Sequence, residues 1–442
     1  LGFKAPLKVK KNQWLQQNHF YVQFALFFLG LNARILFINS DRVTLALFLI
    51  FTILSAMMTV FLYGGRSWCH YVCPFGMVQT VFTGPRGLLG SHAHTTAPKT
   101  LTQSMCRIVN LETGHEKSAC VGCKTACMDI DSEKSYWQQL VQPGRRLVQY
   151  GYLGLVVGYF AYYWLYSGNV AYYFSGAWTH EPSQLATLFK PGFYLFHTAI
   201  PIPKLIAAPM TLGAFTALSC ALCTRFERFY RGYLNETQPS LPKEQALHRV
   251  FSLCTFVAFN LFFVYGGRPE INRLPLPLQF TFQGGVVLVS ALWLYKTWER
   301  NSAQYTRESL MDKLRRQLKK LPLKVTGLLD GRSWDDLTSD EVYVLAKTLP
   351  GATHQERLRI YTGVLKDAIA AGQAQSLSSL AVLQQMRQQL DISDDEHLQA
   401  LAEAGGDRLY PYGRSPSQQP RPITGLPHGA IALPCGGMHP IE

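Results

Sequence analysis

Between Val43 and Tyr63 the chain runs for 21 residues without a charged side chain. A helix of that length spans about 30 Å, the thickness of a bilayer's hydrocarbon core. Five further apolar stretches, near 20–38, 147–166, 203–222, 249–265 and 278–296, have comparable length. The sequence therefore predicts an all-α, polytopic membrane bundle of about six spans. Arg34, in the outer third of the first span, is expected to snorkel to the interface.

Charge divides the 442-residue chain in two. Residues 1–300 hold 26 Lys+Arg against 12 Asp+Glu, whereas 301–442 hold 16 against 16, so the net charge of +14 belongs to the apolar part. Basic charge beside apolar spans sets membrane orientation and does not indicate nucleic-acid binding. With a cytoplasmic N-terminus, 20 of those 26 basic residues fall on the inner side and 6 on the outer. Both termini are thus expected in the cytoplasm, in a bacterial inner membrane. Three parts follow: a transmembrane domain over 1–300 with a cytoplasmic loop at 64–146, a helical cytoplasmic domain over 301–406, and a Pro/Gly-rich tail over 407–442. In the second part, Thr338 with Glu341 and Ser393 with Glu396 form capping boxes, and amphipathic segments lie near 354–371 and 376–390. They read as a small soluble bundle. The aromatic outer segment 167–202 reads as an interfacial belt or re-entrant stretch, with a quinone pocket as the sharper alternative; no haem is expected.

Two cysteine runs carry the chemistry: Cys69-His70-Tyr71-Val72-Cys73-Pro74 and Cys120-Val121-Gly122-Cys123-Lys124-Thr125-Ala126-Cys127. The first, C-x3-C-P, is the closing half of a bacterial ferredoxin motif, and the second sets three thiolates close together. A 4Fe–4S cube needs four sulfur ligands from a closely wrapped loop, and one or two such clusters are expected. Cys120, Cys123 and Cys127 share one site, with Cys106 or a cysteine of the other run as fourth ligand. Cys69 and Cys73 would be completed by Cys220 and Cys223, a C-x2-C at the same expected depth. All eight fall on the reducing side, where metal ligation takes precedence over disulfides. Zinc is the alternative for any four-cysteine set, and small packing residues the alternative for Cys220 and Cys223. Cys254 is expected as a small buried hydrophobe and Cys435 as a free thiol.

Trp68-Cys69-His70-Tyr71-Val72-Cys73-Pro74-Phe75-Gly76 resembles the W-C-x-x-x-C-P-x-G signature of polytopic membrane ferredoxins. That group includes the quinol-oxidising membrane subunit of periplasmic nitrate reductase, the membrane iron–sulfur protein of nitrous oxide respiration and the cytochrome oxidase assembly ferredoxin. The resemblance covers roughly residues 20–225. It implies cytoplasmic 4Fe–4S sites between transmembrane helices, and electron exchange with quinones or periplasmic partners. The chain departs from the pattern in its C-x2-C-x3-C run and in Cys220-x2-Cys223, which lacks the proline. The expected function is one-electron transfer between a cytoplasmic donor and a membrane acceptor, a quinone. The basic loop favours an acidic donor such as a ferredoxin or flavodoxin. A cluster-based redox sensor signalling through the helical domain is the alternative, and an assembly factor delivering electrons to another complex is a third.

Overall fold

A computed structural model describes residues 13–38, 42–63, 67–88, 107–109, 116–118, 131–167, 171–176, 184–195, 198–238, 243–320, 334, 337, 341–342, 344–345, 353–370 and 377–404. The described residues are mostly helical, and the chain divides into two compact units, Leu1–Asp312 and Lys313–Glu442.

In the first unit, α1 (Gln13–Ala33) runs on as a π-helical turn to Ile38, and α2 (Arg42–Tyr63) follows. After them come α3 (Pro74–Thr83), α4 (Ser132–Gln139), α5 (Arg145–Ser167), α6 (Lys204–Thr237), α7 (Lys243–Leu261), α8 (Leu276–Trp298) and the start of α9 (Ser302–Leu318), a helix that continues past the boundary at Asp312. Two small antiparallel pairs depart from the all-α expectation. One joins β1 (Arg107–Val109) to β2 (Glu116–Ser118). The other joins β3 (Pro191–Leu195) to β4 (Thr198–Pro203). The second pair lies within the aromatic segment expected to be a belt or re-entrant stretch. There Lys204 is buried, donating to the Tyr166 hydroxyl at 2.5 Å and to Thr187 Oγ1 at 3.1 Å.

Five helical stretches among the described residues are long and apolar enough to cross a membrane: Trp14–Ile38, Arg42–Tyr63, Lys204–Thr237, Glu244–Gly266 and Leu276–Trp298. The sixth expected span, 147–166, is present as α5 but falls short on composition, because its sequence carries six tyrosines. Its surroundings explain why it tolerates them. Val148, Tyr152, Leu155, Val156 and Tyr162 are buried in one core with Phe20 and Phe24 of α1, Met77 and Val81 of α3, and Leu212 of α6.

Helices α5 and α6 run antiparallel along the whole length of α5. Arg146 and Tyr150 bond Glu227 at 2.9 Å, Ser219 Oγ donates to Tyr150 O at 2.7 Å, and Lys204 meets Tyr166 at the far end. Gly154 and Gly158 make the approach close: a Cβ on Gly154 would stand 2.5 Å from Phe215 O, and one on Gly158 2.9 Å from Phe215 Cβ. This is the small-x3-small packing of membrane helices, where bare backbone replaces a side-chain layer. The spacing is legible in the sequence as Gly154-Leu-Val-Val-Gly158 and was not among the expectations. By contrast, no residue in the apolar window of α2 is buried.

The second unit contains α10 (His354–Ala370), α11 (Leu377–Gln389) and α12 (Asp394–Glu403). Tyr361, Val364, Leu365, Met386 and Leu401 are buried in it, and the Tyr361 hydroxyl meets His397 Nδ1 at 2.8 Å. The capping box expected at Ser393 and Glu396 is formed in both directions. The Thr338 box and residues 407–442 lie outside the described residues.

Candidate metal centre

Cys69 stands on a π-helical turn, Trp68–Val72, and Cys73 is the single residue between that turn and α3. The Cys73 amide closes the turn onto Trp68 O at 2.7 Å, and the Gly76 amide returns to Cys73 O at 3.0 Å. Pro74 takes the first position of α3. A missing N–H is harmless there, and the ring pre-sets the helical φ. The next two amides, of Phe75 and Gly76, reach the Cys73 sulfur, as does the Trp68 side chain. Burial holds the Cys73 thiol above its ordinary pKa, and these three donors lessen the rise without cancelling it. Free amides at a helix N-terminus carry partial positive charge and stabilise a thiolate. Cys69 is exposed, and its own charge adds to the upward push on Cys73.

Space fixes the rest of the turn. A Cβ on Gly76 would lie 2.3 Å from Cys69 O and 2.6 Å from Gln23 Nε2, so only glycine fits. Gln23, buried on α1, donates to both Cys69 O and His70 O at 3.2 Å. At the other end of α3, Arg145 donates to Thr80 O at 3.3 Å and Thr255 to Val81 O at 3.0 Å. These bonds satisfy carbonyls that a helix C-terminus leaves without partners. The Arg145 guanidinium is buried between the rings of Phe20 and Phe251, 5.9 and 5.2 Å from their centroids. Sequence reasoning missed Gln23, Arg145 and Thr255. A glutamine inside an apolar span was the available signal for the first.

Cys106, Cys120, Cys123 and Cys127 lie outside the described residues. Between Cys106 and Cys120, however, the β1–β2 pair has a defined register, Arg107 opposite Ser118. Arg107 directly follows Cys106, and Ser118 stands two residues before Cys120.

The structure does not bring Cys220 and Cys223 to Cys69 and Cys73. Among the described residues, no group of three or more His, Cys, Asp or Glu side chains is placed to hold a metal ion. Cys220 and Cys223 sit inside the uninterrupted α6, where the amides are committed to the helix ladder. Both pack against the aromatic core of Tyr150 and Phe251, and Cys223 Sγ lies 3.8 Å from Cys254 Sγ on α7. Cys254 itself is buried, as a small hydrophobe would be.

A 4Fe–4S cluster asks for soft thiolates, N–H donors toward sulfur and backbone that can approach a bulky cube. The turn offers two cysteine sulfurs and, at Cys73, N–H donors toward sulfur. Residues 44–92 match the family model of a 4Fe-4S binding domain. The chain binds a 4Fe–4S cluster. The 4Fe-4S binding domain takes in most of α2, the π turn and α3, so Cys69 and Cys73 are the cysteines it contains. No curated protein and no solved structure matches the chain.

Proposed function

We propose that this protein is a bacterial inner-membrane electron carrier of the polytopic membrane ferredoxin kind, moving single electrons between a cytoplasmic donor and a membrane quinone. One observation carries the reading. The thiol turn of the 4Fe-4S binding domain follows within a few residues of a 22-residue apolar helix and feeds a buried one. A ligand pair so placed stands at the edge of the hydrocarbon region in which quinones dissolve.

When bound, the cluster supplies reversible one-electron chemistry. Cys69 and Cys73 would supply two of the four thiolates that it needs. The amides of Phe75 and Gly76 and the Trp68 side chain would offset its negative charge, and Gln23 would keep the turn in place. Cys120, Cys123 and Cys127 would share one site, with Cys106 or a cysteine of the first run as its fourth ligand. The β1–β2 register supports that grouping, since it returns the chain toward Cys106 just before the C-x2-C-x3-C run begins. Cys220 and Cys223 are left as packing residues.

The antiparallel pairing of α5 with α6 supports counting α5 as a crossing. With it the bundle has six spans, and both termini share the basic, cytoplasmic side. The basic surplus of the loop suits an acidic donor, a ferredoxin or flavodoxin.

Iron and acid-labile sulfide analysis, with EPR of the dithionite-reduced protein, tests the reading. About four or eight irons per chain are expected, one cube or two. A colourless protein containing zinc would end the proposal. Reduced protein in quinone-loaded vesicles should reoxidise on mixing, and failure to do so would remove the quinone while leaving the cluster.

A further inference from the structure

The stretch from Leu88 to Asp131 contains Cys106, Cys120, Cys123 and Cys127, and its two ends are tied to one short piece of chain, residues 293–308. On the approach side, Trp293 Nε1 donates to Arg86 O at 2.9 Å and Lys296 Nζ to Leu88 O at 3.1 Å. The Arg86 guanidinium also meets Glu308 Oε2 at 3.4 Å.

On the return side, Asp131 caps α4 by accepting the Lys134 amide at 2.9 Å, and its other oxygen accepts the Tyr305 hydroxyl at 2.5 Å. Glu133, fully buried, accepts two bonds from Arg300 at 2.7 and 3.2 Å and one from the Trp137 indole at 3.2 Å. Arg300 donates in addition to both oxygens of Glu308, at 2.6 and 2.5 Å.

Arg86, Arg300, Glu133 and Glu308 thus form a four-charge network with no net charge. Arg300 is 7% exposed and stands at its centre. A planar guanidinium can grip two carboxylates from different parts of the chain at once, which a lysine ammonium cannot copy.

We infer that Arg300 is a positioning residue for the cysteine loop. Through Glu133 it holds the return strand, and through Glu308 and Arg86 the approach strand. The two ends of the thiol-bearing stretch are thereby fixed relative to each other and to the membrane bundle. Tyr305 reinforces the return end through Asp131. The clasp draws no ligand from its own members; it sets where the loop begins and ends. Its effect on a cluster rests on the function proposed above, whereas the clasp does not.

The test uses the full-length protein with Arg300→Gln, Arg300→Lys and Tyr305→Phe, followed by limited proteolysis and by EPR after reduction. Arg300→Gln should raise cleavage between Arg86 and Glu133 by about tenfold, because cleavage follows the population in which the tied ends are released. Cleavage at other sites should not change, and the EPR signal should broaden or shift. Arg300→Lys should recover part of the protection, and Tyr305→Phe should fall between wild type and Arg300→Gln. Wild-type cleavage and an unaltered EPR spectrum in both Arg300→Gln and Tyr305→Phe would overturn the inference. Should Arg300→Gln fail to accumulate, Tyr305→Phe decides alone, since it keeps the buried ring and removes one bond. A wild-type protein without iron would sink the proposed function, yet the proteolysis would still judge the clasp.

Discussion

Cys69-x3-Cys73 and Cys220-x2-Cys223 look alike as text and differ as chemistry. The first pair sits where a π turn meets a helix N-terminus, with two amides and the Trp68 side chain directed at one sulfur and Gly76 admitting the Cys69 carbonyl and Gln23 at close range. The second sits in the interior of α6, beside the Tyr150–Phe251 core and Cys254. Spacing supplies sulfur; backbone context decides whether the sulfur is free to bind. Pro74 is the visible mark of that difference, because it both starts α3 and forbids an earlier helix from running through the site.

The largest effect that could break this contrast is Cys73→Ser against Cys223→Ser. A hydroxyl is a poor substitute for a thiolate on iron. Iron per chain should fall steeply in the first variant and stay at the wild-type level in the second. Equal losses would restore Cys223 as a ligand.

Gly76→Ala tests the space beside the turn. Its Cβ would have to displace a backbone carbonyl and Gln23, so the site should be destabilised by about 1–3 kcal/mol, with part of the iron lost. Full iron with an unchanged EPR spectrum would show that the turn can yield. Gly154→Leu sharpens the other side. A side chain there drives into Phe215 O and Ser219, next to Cys220. The α5–α6 contact should weaken, again by about 1–3 kcal/mol, seen as a lower melting midpoint in detergent. Iron bound at low temperature should be unaffected if Cys220 is packing alone.

Removal of residues 321–442 keeps α9, and with it Tyr305 and Glu308, while deleting most of the second unit. Iron content and reduction should survive if the protein only carries electrons. Intact cluster chemistry with loss of a downstream response would favour the sensor.

The smallest effect concerns a helix start where side chains, not a metal-binding thiol, occupy the amides. Glu396 caps α12, and its pKa is held down to about 2, first by His354 and then by Ser393. A depressed carboxyl stabilises the fold above its unfolded value near 4.5, and the contribution fades as pH falls toward 2. Amide exchange at 394–397 should therefore be faster in Glu396→Gln than in wild type at pH 7, with the difference gone near pH 2. A difference that persists at low pH would assign the protection to something other than the carboxylate.

The helices and the iron–sulfur character of the segment around Cys69–Pro74 were legible because each rests on local pattern: apolar length, a capping box, a proline after cysteine. What was not legible depends on pairs distant in sequence. Gln23 reaches residues 69 and 70, Arg145 reaches Thr80, and Arg300 reaches Glu133, separations that no window of the sequence spans. The β3–β4 hairpin was hidden by its aromatic composition, which suits an interface equally well. The surroundings of Cys220 and Cys223 were not legible, because spacing says nothing about whether the surrounding backbone is already satisfied.

The tyrosines of α5 have a consequence for biosynthesis. A nascent segment partitions into lipid by itself when its own side chains gain from leaving water, and six hydroxyl-bearing rings work against that gain. The groups that compensate them arrive later in translation. Lys204 meets Tyr166, Glu227 meets Tyr150, and the backbone of residues 215–219 fills the space beside Gly154. On the proposed six-span reading α5 is thus a client of α6: its insertion would be completed only when about 60 further residues have been made.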